Sequence, residues 1–283
     1  MNRCRWLIVL GVAAACAGGC RRTPPAGPQN LVLTGSGAMA PLVKEIGKRF
    51  EAAHPGVRID VQGGSVQPGT PGVGGSDRGV QDARSGLADV GMVARPLRAD
   101  ESALHPFAVG HDGLVFVVHQ TNPVPGLSDE QVVRVYTKQS ANWALVGGKD
   151  GPITVISQAE GSSALDVFLT RFKLKVGQVR ADQTVFQSAQ GIKAVAARPA
   201  AVAYVSAGAA EAAVAAGTPI RALPLDGVAA TAQNVRAGTY PLVRPLYLVT
   251  RAPPSGLAKE FIDFAQSAAV RDLVEKYHFV SLP

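Results

Sequence analysis

The hydrophobic positions along the chain alternate between short apolar runs, typical of strands, and the spacing of a one-sided helix. Residues 31–33 form the first apolar run, and residues 41–53 follow with apolar side chains at helical intervals. Apolar and polar residues alternate at 57–61, and an unbroken apolar run at 114–118 indicates a buried strand. These repeated strand–turn–helix units predict an α/β fold with open sheets.

Later segments continue the alternation without an internal repeat. Short apolar segments that favour strands occur at 88–93, 153–156, 202–205 and 246–250. Further helices are predicted at 79–87, 129–136, 162–172, 190–198, 207–216, 256–268 and 269–277. Residues 63–75 are rich in Gly and Pro, and the length of this loop indicates a functional or mobile segment.

The N-terminus has the pattern of a secretory signal. Arg3 and Arg5 flank the start of an apolar run at 6–17, which is too short for a comfortable membrane span. Small residues at 17–19 lead directly to Cys20. This order resembles the lipobox of bacterial lipoproteins, although Ala stands where Leu is usual at the third position before the cysteine.

The signal predicts an exported, membrane-anchored protein. Residues 1–19 are the expected signal peptide, and residues 20–30 are the expected lipidated Cys20 with a Pro-rich tether. The expected location is the periplasm or the cell surface, where the N-terminal lipid holds the protein on a bacterial membrane. An ordinary cleaved signal with an incidental cysteine is the less favoured alternative.

Export and cleavage would change the cysteine content and the net charge of the chain. All three cysteines of the 283-residue chain lie in the first twenty positions, so the mature chain would keep only Cys20 and no disulfide. Loss of Arg3 and Arg5 with the signal lowers the formal net charge from +7 to +5. The remaining Lys and Arg are scattered, and both this scatter and export argue against nucleic acid as a partner.

Three strand-to-helix junctions share a Gly- and Ser-rich composition, at 34–39, 74–79 and 160–164. Each would present free backbone N–H groups at a helix start, where glycine admits a ligand and the helix dipole favours negative charge. For any one junction a plain helix cap is the more frequent role. Three such junctions in one chain favour a small-anion site.

The chain resembles the phosphate-binding proteins of bacterial ABC importers, within the periplasmic-binding-protein superfamily. The similarity covers nearly all of the mature chain. It is carried by TGSGAMAPL (34–42), KRFEAAHPGVRIDVQGG (48–64), GGSDRGVQDARSGLADVGMVARPL (74–97), LSDEQVVRVYTKQSANW (127–143) and GTYPLVRPLYLVT (238–250). The order and spacing of these motifs make the resemblance specific.

The resemblance implies a two-lobed α/β fold of the type 2 periplasmic-binding proteins, with the ligand cleft between the lobes. Lobe 1 is expected to comprise residues 31–115 and 247–283, and lobe 2 residues 116–246. Crossover strands are expected at 114–119 and 245–249. The lobes would close over the ligand by a hinge motion.

Candidate ligand-binding residues fall in the three junctions and in the segment matching the family's "aDIGMvSRpL". They are Ser36, Gly37, Ala38, Met39, Ser76, Asp77, Arg78, Gly79, Ala94, Arg95, Gln158, Gly161, Ser162 and Ser163. In the first turn the backbone N–H groups would bind the anion, and Ser76 matches the family's serine in the second turn.

Several of these positions depart from the family pattern. Met39 stands where a hydroxyl residue is frequent, and Ala94 replaces the family's Asp or Ser. In the third motif Gln158 replaces an Arg and Ala164 a Thr. The resemblance implies that the acidic residue accepts the ligand's proton and that the Arg makes a charge-assisted contact, so both functions need a replacement.

Charged residues near the junctions are candidates for these two functions. Arg78 is a candidate cation and Asp77 a candidate acceptor, with a solvated residue and a helix cap as the alternatives. Arg95 and Arg244 are further candidate cations, for which a salt bridge between the lobes or at the hinge is the favoured role.

Other chemistry finds little support in the sequence. The chain has no Gly-x-Ser-x-Gly elbow, Walker A loop, HExxH motif or Ser-x-x-Lys pair, and its five histidines lack metal-ligand spacing. We therefore expect a monomeric binding protein, not an enzyme, that uses no cofactor and no metal.

The resemblance and the signal together predict an extracytoplasmic, lipid-anchored solute-binding protein. Its expected ligand is phosphate or a related small oxyanion, and its expected partners are the permease subunits of an ABC importer. The alternative is a non-transport anion sensor or interaction module of the same fold with altered ligand specificity, which the substitutions at Ala94, Gln158 and Ala164 motivate.

Overall fold

The structure, a computed structural model, describes residues 29–64 and 74–282 of the chain. The strands of this part are β1 (Gln29–Gly35), β2 (Val57–Gly63), β3 (Val90–Val93), β4 (His105–His119), β5 (Thr154–Gln158), β6 (Gln183–Val185), β7 (Ala201–Ser206), β8 (Ile220–Leu223) and β9 (Val243–Thr250). They form one curled sheet in the order β2-β1-β3-β9-β4-β7-β5-β6, and β8 pairs with β4. The expected signal peptide, Cys20 and nearly all of the tether lie outside the described residues.

Helices connect most of these strands. They are α1 (Ala40–Ala53), α2 (Gly75–Ser85), α3 (Asp129–Tyr136), α4 (Ser163–Phe172), α5 (Ser188–Ala196), α6 (Ala207–Ala215), α7 (Ala232–Arg236), α8 (Gly256–Gln266) and α9 (Arg271–Lys276). The second helix begins at Gly75, four residues before the predicted start at 79. Ser128 caps α3 as its N-cap residue, because its hydroxyl accepts a hydrogen bond from the Gln131 N–H.

The sheet divides into two lobes along the long strand β4. Residues 105–113 of β4 pair with β9, whereas residues 114–119 pair with β7 and β8. Lobe 1 is defined here by β1, β2, β3, β9 and the first part of β4, with α1, α2, α8 and α9. Lobe 2 is defined by the second part of β4, β5 to β8 and α3 to α7. The predicted two-lobed α/β fold is confirmed.

Each lobe has its own hydrophobic core. In lobe 1, Leu42, Ile46 and Phe50 of α1 pack with β1 and α8. In lobe 2, the rings of Phe168 and Tyr204 stack with centroids 4.5 Å apart, beside Phe116. Separate cores leave the space between the lobes free to bind a ligand.

The pairing partners of β4 change between Gly113 and Leu114, from β9 to β7 and β8. Residues 114–119, expected to be a crossover, lie wholly in the lobe 2 part of the sheet, and β9 is paired with lobe 1 strands along its length. The lobe boundaries at 115/116 and 246/247 stay a prediction. Within the described ranges, the helices are too short or too polar to cross a membrane.

Candidate functional site

A cleft of about 680 Å³ lies between the lobes and is surrounded by helix starts. In the described part of the chain, its wall includes the first residues of, or the turns before, α1, α2, α4, α5 and α6. Backbone N–H groups at a helix start have no acceptor within the helix, and the helix dipole makes that end positive. Five helix starts around one cleft therefore form an environment suited to an anion.

The first turn presents a serine hydroxyl and two backbone N–H groups to the cleft. Ser36 is 1% exposed, lines the cleft and, among the described residues, its hydroxyl has no hydrogen-bond partner. Gly37 and Ala38 also line the cleft, and the hydrogen bonds of the described residues include none donated by their N–H groups. Met39, in contrast, is fully buried in the lobe 1 core.

The second turn contributes only its glycines to the cleft wall. Gly74 and Gly75 line the cleft, whereas Ser76 is fully buried and its Oγ accepts a 2.9 Å hydrogen bond from the Ala94 N–H. Gly79 lies so close to β3 that an added Cβ would be 2.7 Å from the carbonyl oxygen of Met92. Ser76, Gly79 and Ala94 thus join α2 to β3 instead of lining the cleft.

Arg95 and Asp77 belong to a cluster of charges beside the cleft. Arg95 is 1% exposed and binds both carboxylate oxygens of Glu101 at 2.7 Å, and its Nη2 lies 2.6 Å from Asp77. Burial would lower the pKa of Arg95, but hydrogen bonds to Glu101 and Asp77 more than offset this and raise it above its usual value. Both terminal nitrogens of Arg95 are therefore bonded to carboxylates of lobe 1.

The same cluster reaches lobe 2 through Asp166 on α4. Arg98 Nη2 donates a 2.6 Å hydrogen bond to Asp166 Oδ2, and Arg95 Nε lies 3.1 Å from the same oxygen without a directed bond. Burial raises the pKa of Asp166, with a smaller contribution in the same direction from Asp77, while Arg98 and Arg95 oppose the shift. An ion pair between the lobes, the role favoured for Arg95, is therefore present.

Arg78, the first candidate cation, is bonded to other residues of lobe 1. Its Nε lies 3.1 Å from Asp82 Oδ2, one turn further along α2, and its Nη2 donates to the Gln62 side chain. Arg78 is not among the residues that line the cleft in the described part of the chain. The charge of Arg78 is thus neutralised within lobe 1.

The third turn lines the cleft with Gly161, Ser162 and Ser163. Gly161 has a φ of +81°, a left-handed conformation that favours glycine and lets the chain turn from β5 into α4. Gln158 also lines the cleft, but its Nε2 donates a 3.2 Å hydrogen bond to the carbonyl of Tyr204. At this position the side chain connects two strands and adds no charge.

Arg244 brings a buried positive charge to the cleft. This residue of β9 is 2% exposed and lines the cleft. Its Nε and Nη2 donate to Asp112 Oδ2 at 3.0 and 2.7 Å, and its Nη1 donates to Ser163 Oγ at 3.1 Å. Burial raises the pKa of Asp112, opposed by the charge and hydrogen bond of Arg244.

The structure adds cleft residues that the sequence reasoning missed. Gln187 and Ser188 at the start of α5, and Ser206 and Gly208 at the start of α6, line the cleft. Each junction carries a serine, as the first residue of α5 or the last residue of β7, and serine is one part of the Gly- and Ser-rich composition that singled out the other three. Of the predicted site residues, the cleft wall contains Ser36, Gly37, Ala38, Gln158, Gly161, Ser162 and Ser163.

The remaining predicted residues are not brought into the cleft wall. These are Met39, Ser76, Asp77, Arg78, Gly79, Ala94 and Arg95, which lie in the lobe 1 core, at the α2–β3 contact or in ion pairs. Across the described ranges, His, Cys, Asp and Glu side chains form no group of three that could hold a metal.

Two α/β lobes with a cleft of helix starts between them form the architecture that the family resemblance implied. The sequence model of the PBP superfamily domain matches residues 22–269. The chain therefore belongs to the PBP superfamily.

Comparison with individual proteins shows which members of the superfamily this chain resembles. The chain is 27% identical over 246 residues to the phosphate-binding protein PstS of Bacillus subtilis, which covers 86% of this chain and 77% of that protein. A phosphate ABC transporter substrate-binding protein from Clostridium perfringens, solved with bound phosphate, matches with a TM-score of 0.79 at 27% identity, over 90% of this chain and 100% of that one.

A second solved structure gives the same result. An ABC-type phosphate transport receptor from Vibrio cholerae matches with a TM-score of 0.75 at 27% identity, over 89% of this chain and 100% of that one. The resemblance to the phosphate-binding proteins of ABC importers is confirmed.

Proposed function

We propose that this protein is a binding protein, not an enzyme, that captures phosphate or a closely related oxyanion in the cleft between its lobes. The observation that carries the proposal is the set of five helix starts around one cleft, together with the buried hydroxyl of Ser36, which has no hydrogen-bond partner among the described residues. A buried hydroxyl without a partner is costly, and an oxyanion in the cleft would accept its hydrogen bond.

The relatives support phosphate as the ligand. The Bacillus subtilis protein is a phosphate-binding protein, and the Clostridium perfringens structure holds phosphate. The match covers 100% of the Clostridium perfringens chain, and this similarity of the whole fold supports the cleft between the lobes as the place where the ligand binds.

Titration calorimetry of the soluble domain with inorganic phosphate tests this function. We expect saturable binding to one site in the wild-type protein and an affinity at least tenfold weaker in Ser36→Ala, because a hydrogen bond to a charged ligand contributes about 1.5–3 kcal/mol. Absence of phosphate binding by the folded wild type would overturn the proposed function.

Ser140→Ala is a matched control for the serine substitution. Ser140 is also a fully buried serine whose hydroxyl has no partner among the described residues, but it is not part of the described cleft wall. Phosphate affinity should stay at the wild-type value in this variant. Equal losses in both variants would show that the effect of Ser36→Ala comes from general packing and not from ligand contact.

We further propose that the protein is exported, anchored through a lipid on Cys20, and delivers its ligand to an ABC permease. The support is the signal-like N-terminus and the ABC transporter relatives. Mass spectrometry of the mature protein should find the N-terminus at a lipid-modified Cys20, and Cys20→Ser should release the protein from the membrane fraction. Unmodified Cys20 in the membrane-bound protein would contradict the lipid anchor.

A further inference from the structure

Three Lys and Arg side chains line the described part of the cleft, and they differ in how exposed they are to solvent. Lys44 and Lys276 are exposed at its edge, whereas Arg244 is 2% exposed. A charge at an exposed edge is screened by water and salt, whereas a buried guanidinium next to a ligand acts in a lower dielectric. Arg244 is therefore the cation with the largest potential effect on a bound anion.

The carboxylate that accompanies Arg244 belongs to Asp112 on the neighbouring strand β4. Asp112 is directly opposite Arg244 in the β4–β9 pairing, is fully buried and does not belong to the described cleft wall. Its Oδ2 accepts both bonds from Arg244, while its Oδ1 accepts from the Ser206 hydroxyl and the carboxylate also receives the Ala207 N–H. The Asp112 carboxylate is thus also stabilised by two hydrogen-bond donors of lobe 2, at the start of α6.

The guanidinium retains hydrogen-bonding capacity after these contacts. An arginine has five N–H groups, one on Nε and two on each terminal nitrogen. In the described residues, Asp112 takes the Nε–H and one Nη2–H, and Ser163 takes one Nη1–H. One N–H therefore remains on each of Nη1 and Nη2, and the bond from Nη1 to Ser163 places the guanidinium next to the Gly161–Ser162–Ser163 turn, which also lines the cleft.

We propose that Arg244 is the ligand-binding cation of this cleft, which donates its two remaining N–H groups to the bound oxyanion while Asp112 holds it in position. The inference rests on the proposed function and identifies the residue that supplies the positive charge. Two N–H groups on one planar fork match two oxygens of a tetrahedral anion, which an ammonium group does not reproduce.

Phosphate binding by Arg244→Gln and Arg244→Lys tests this assignment. Affinity should fall at least thirtyfold in Arg244→Gln, which loses the charge, and about tenfold in Arg244→Lys, which keeps the charge but cannot bridge Asp112, Ser163 and the ligand. Circular dichroism identifies the folded variants. If Arg244→Gln does not fold, Arg244→Lys decides, because wild-type affinity in either folded variant overturns the assignment.

Arg221→Gln is the control for the loss of a partly buried arginine. Arg221 lies on β8, bonds to the carbonyl oxygens of Asn122 and Val124, and is not part of the described cleft wall. Wild-type affinity is expected in this variant, and a loss as large as that of Arg244→Gln would overturn the assignment.

A spectroscopic readout separates ligand contact from a purely structural role. In protein with ¹⁵N-labelled arginine, phosphate should shift the Arg244 guanidinium signals and slow their hydrogen exchange, and unchanged signals at saturation would overturn the assignment. Failure of the wild type to bind phosphate would instead reject the proposed function, so the two failures are distinguishable.

Discussion

Two arginines are buried to the same extent in this molecule, but their surroundings differ. The side chains of Arg95 and Arg244 are each 2% exposed, and each pairs with a buried carboxylate. Arg95 has Glu101 on two nitrogens, Asp77 on one of them, and Asp166 beside its Nε. Arg244 has one carboxylate and lines the cleft.

The difference shows that the number of carboxylates around a buried arginine decides what else it can bind. Around Arg95 and Arg98 three carboxylates balance two guanidinium groups, so the cluster has no positive charge to offer a ligand. Among the described residues Arg244 pairs with Asp112 as its one carboxylate, and two of its N–H groups have no acceptor. Replacement of Arg95 is therefore expected to lower mainly the stability of the fold, and replacement of Arg244 mainly the affinity for the anion.

Replacement of Arg95 gives the largest expected effect on stability. Arg95→Gln removes the partner of Glu101 and leaves buried carboxylates uncompensated, so the free energy of unfolding should fall by about 3–5 kcal/mol. Urea denaturation followed by circular dichroism measures this change. An affinity loss as large as that of Arg244→Gln, without a change in stability, would reverse the roles assigned to the two arginines.

Local patterns in the sequence were sufficient to predict an α/β fold, whereas the two-lobed arrangement was expected from the family resemblance. Periodicity located the helix now seen at Ala40–Ala53 and the buried strand at 114–118, because burial of one face or of both faces leaves a regular apolar pattern. The three-residue strand β6 and the five-residue helix α7 were not predicted, since elements of that length contain too few residues to show a period.

The candidate site was predictable only where it depends on local chemistry. Gly and Ser at the starts of helices indicated turns that now line the cleft, because a helix start presents its N–H groups whatever surrounds it. The partner of an arginine depends on residues distant in sequence. Arg244 and Asp112 are 132 positions apart, so the residues near Arg244 in the chain do not reveal its partner.

Glu101 should make the Arg95 cluster sensitive to acid. Burial raises the pKa of Glu101, but hydrogen bonds from Arg95 and from the Arg98 backbone N–H outweigh it and lower the pKa below its usual value. Its contribution to stability is therefore present above about pH 4.3, the unfolded pKa, and is lost as the pH falls through the lower native pKa.

Glu101→Gln measures this contribution. At pH 7 the free energy of unfolding should fall by roughly 1.5–3 kcal/mol, because bonds to a charged carboxylate are replaced by weaker ones. The difference from the wild type should narrow as the pH is lowered below about 4. A constant difference from pH 3 to pH 7 would show that the charge of Glu101 is not what stabilises the cluster.

Asp166, in the same cluster, should give the smallest effect, with the opposite pH dependence. Burial raises its pKa, so between the unfolded pKa of about 3.9 and the native value the folded protein binds more protons, and the contribution of Asp166 to stability falls as the pH rises. Asp166→Asn keeps an oxygen that can accept from Arg98, and the free energy of unfolding at pH 7 should change by less than about 1 kcal/mol.

The urea midpoint of Asp166→Asn relative to the wild type, measured from pH 3 to pH 7, tests this expectation. As the pH rises, the stability of Asp166→Asn relative to the wild type should increase, whereas that of Glu101→Gln should decrease. A loss of about 3 kcal/mol or more at pH 7 would mean that the ion pair between the lobes is as important for stability as the pairs within lobe 1. The cluster would then hold the two lobes together as well as stabilising lobe 1.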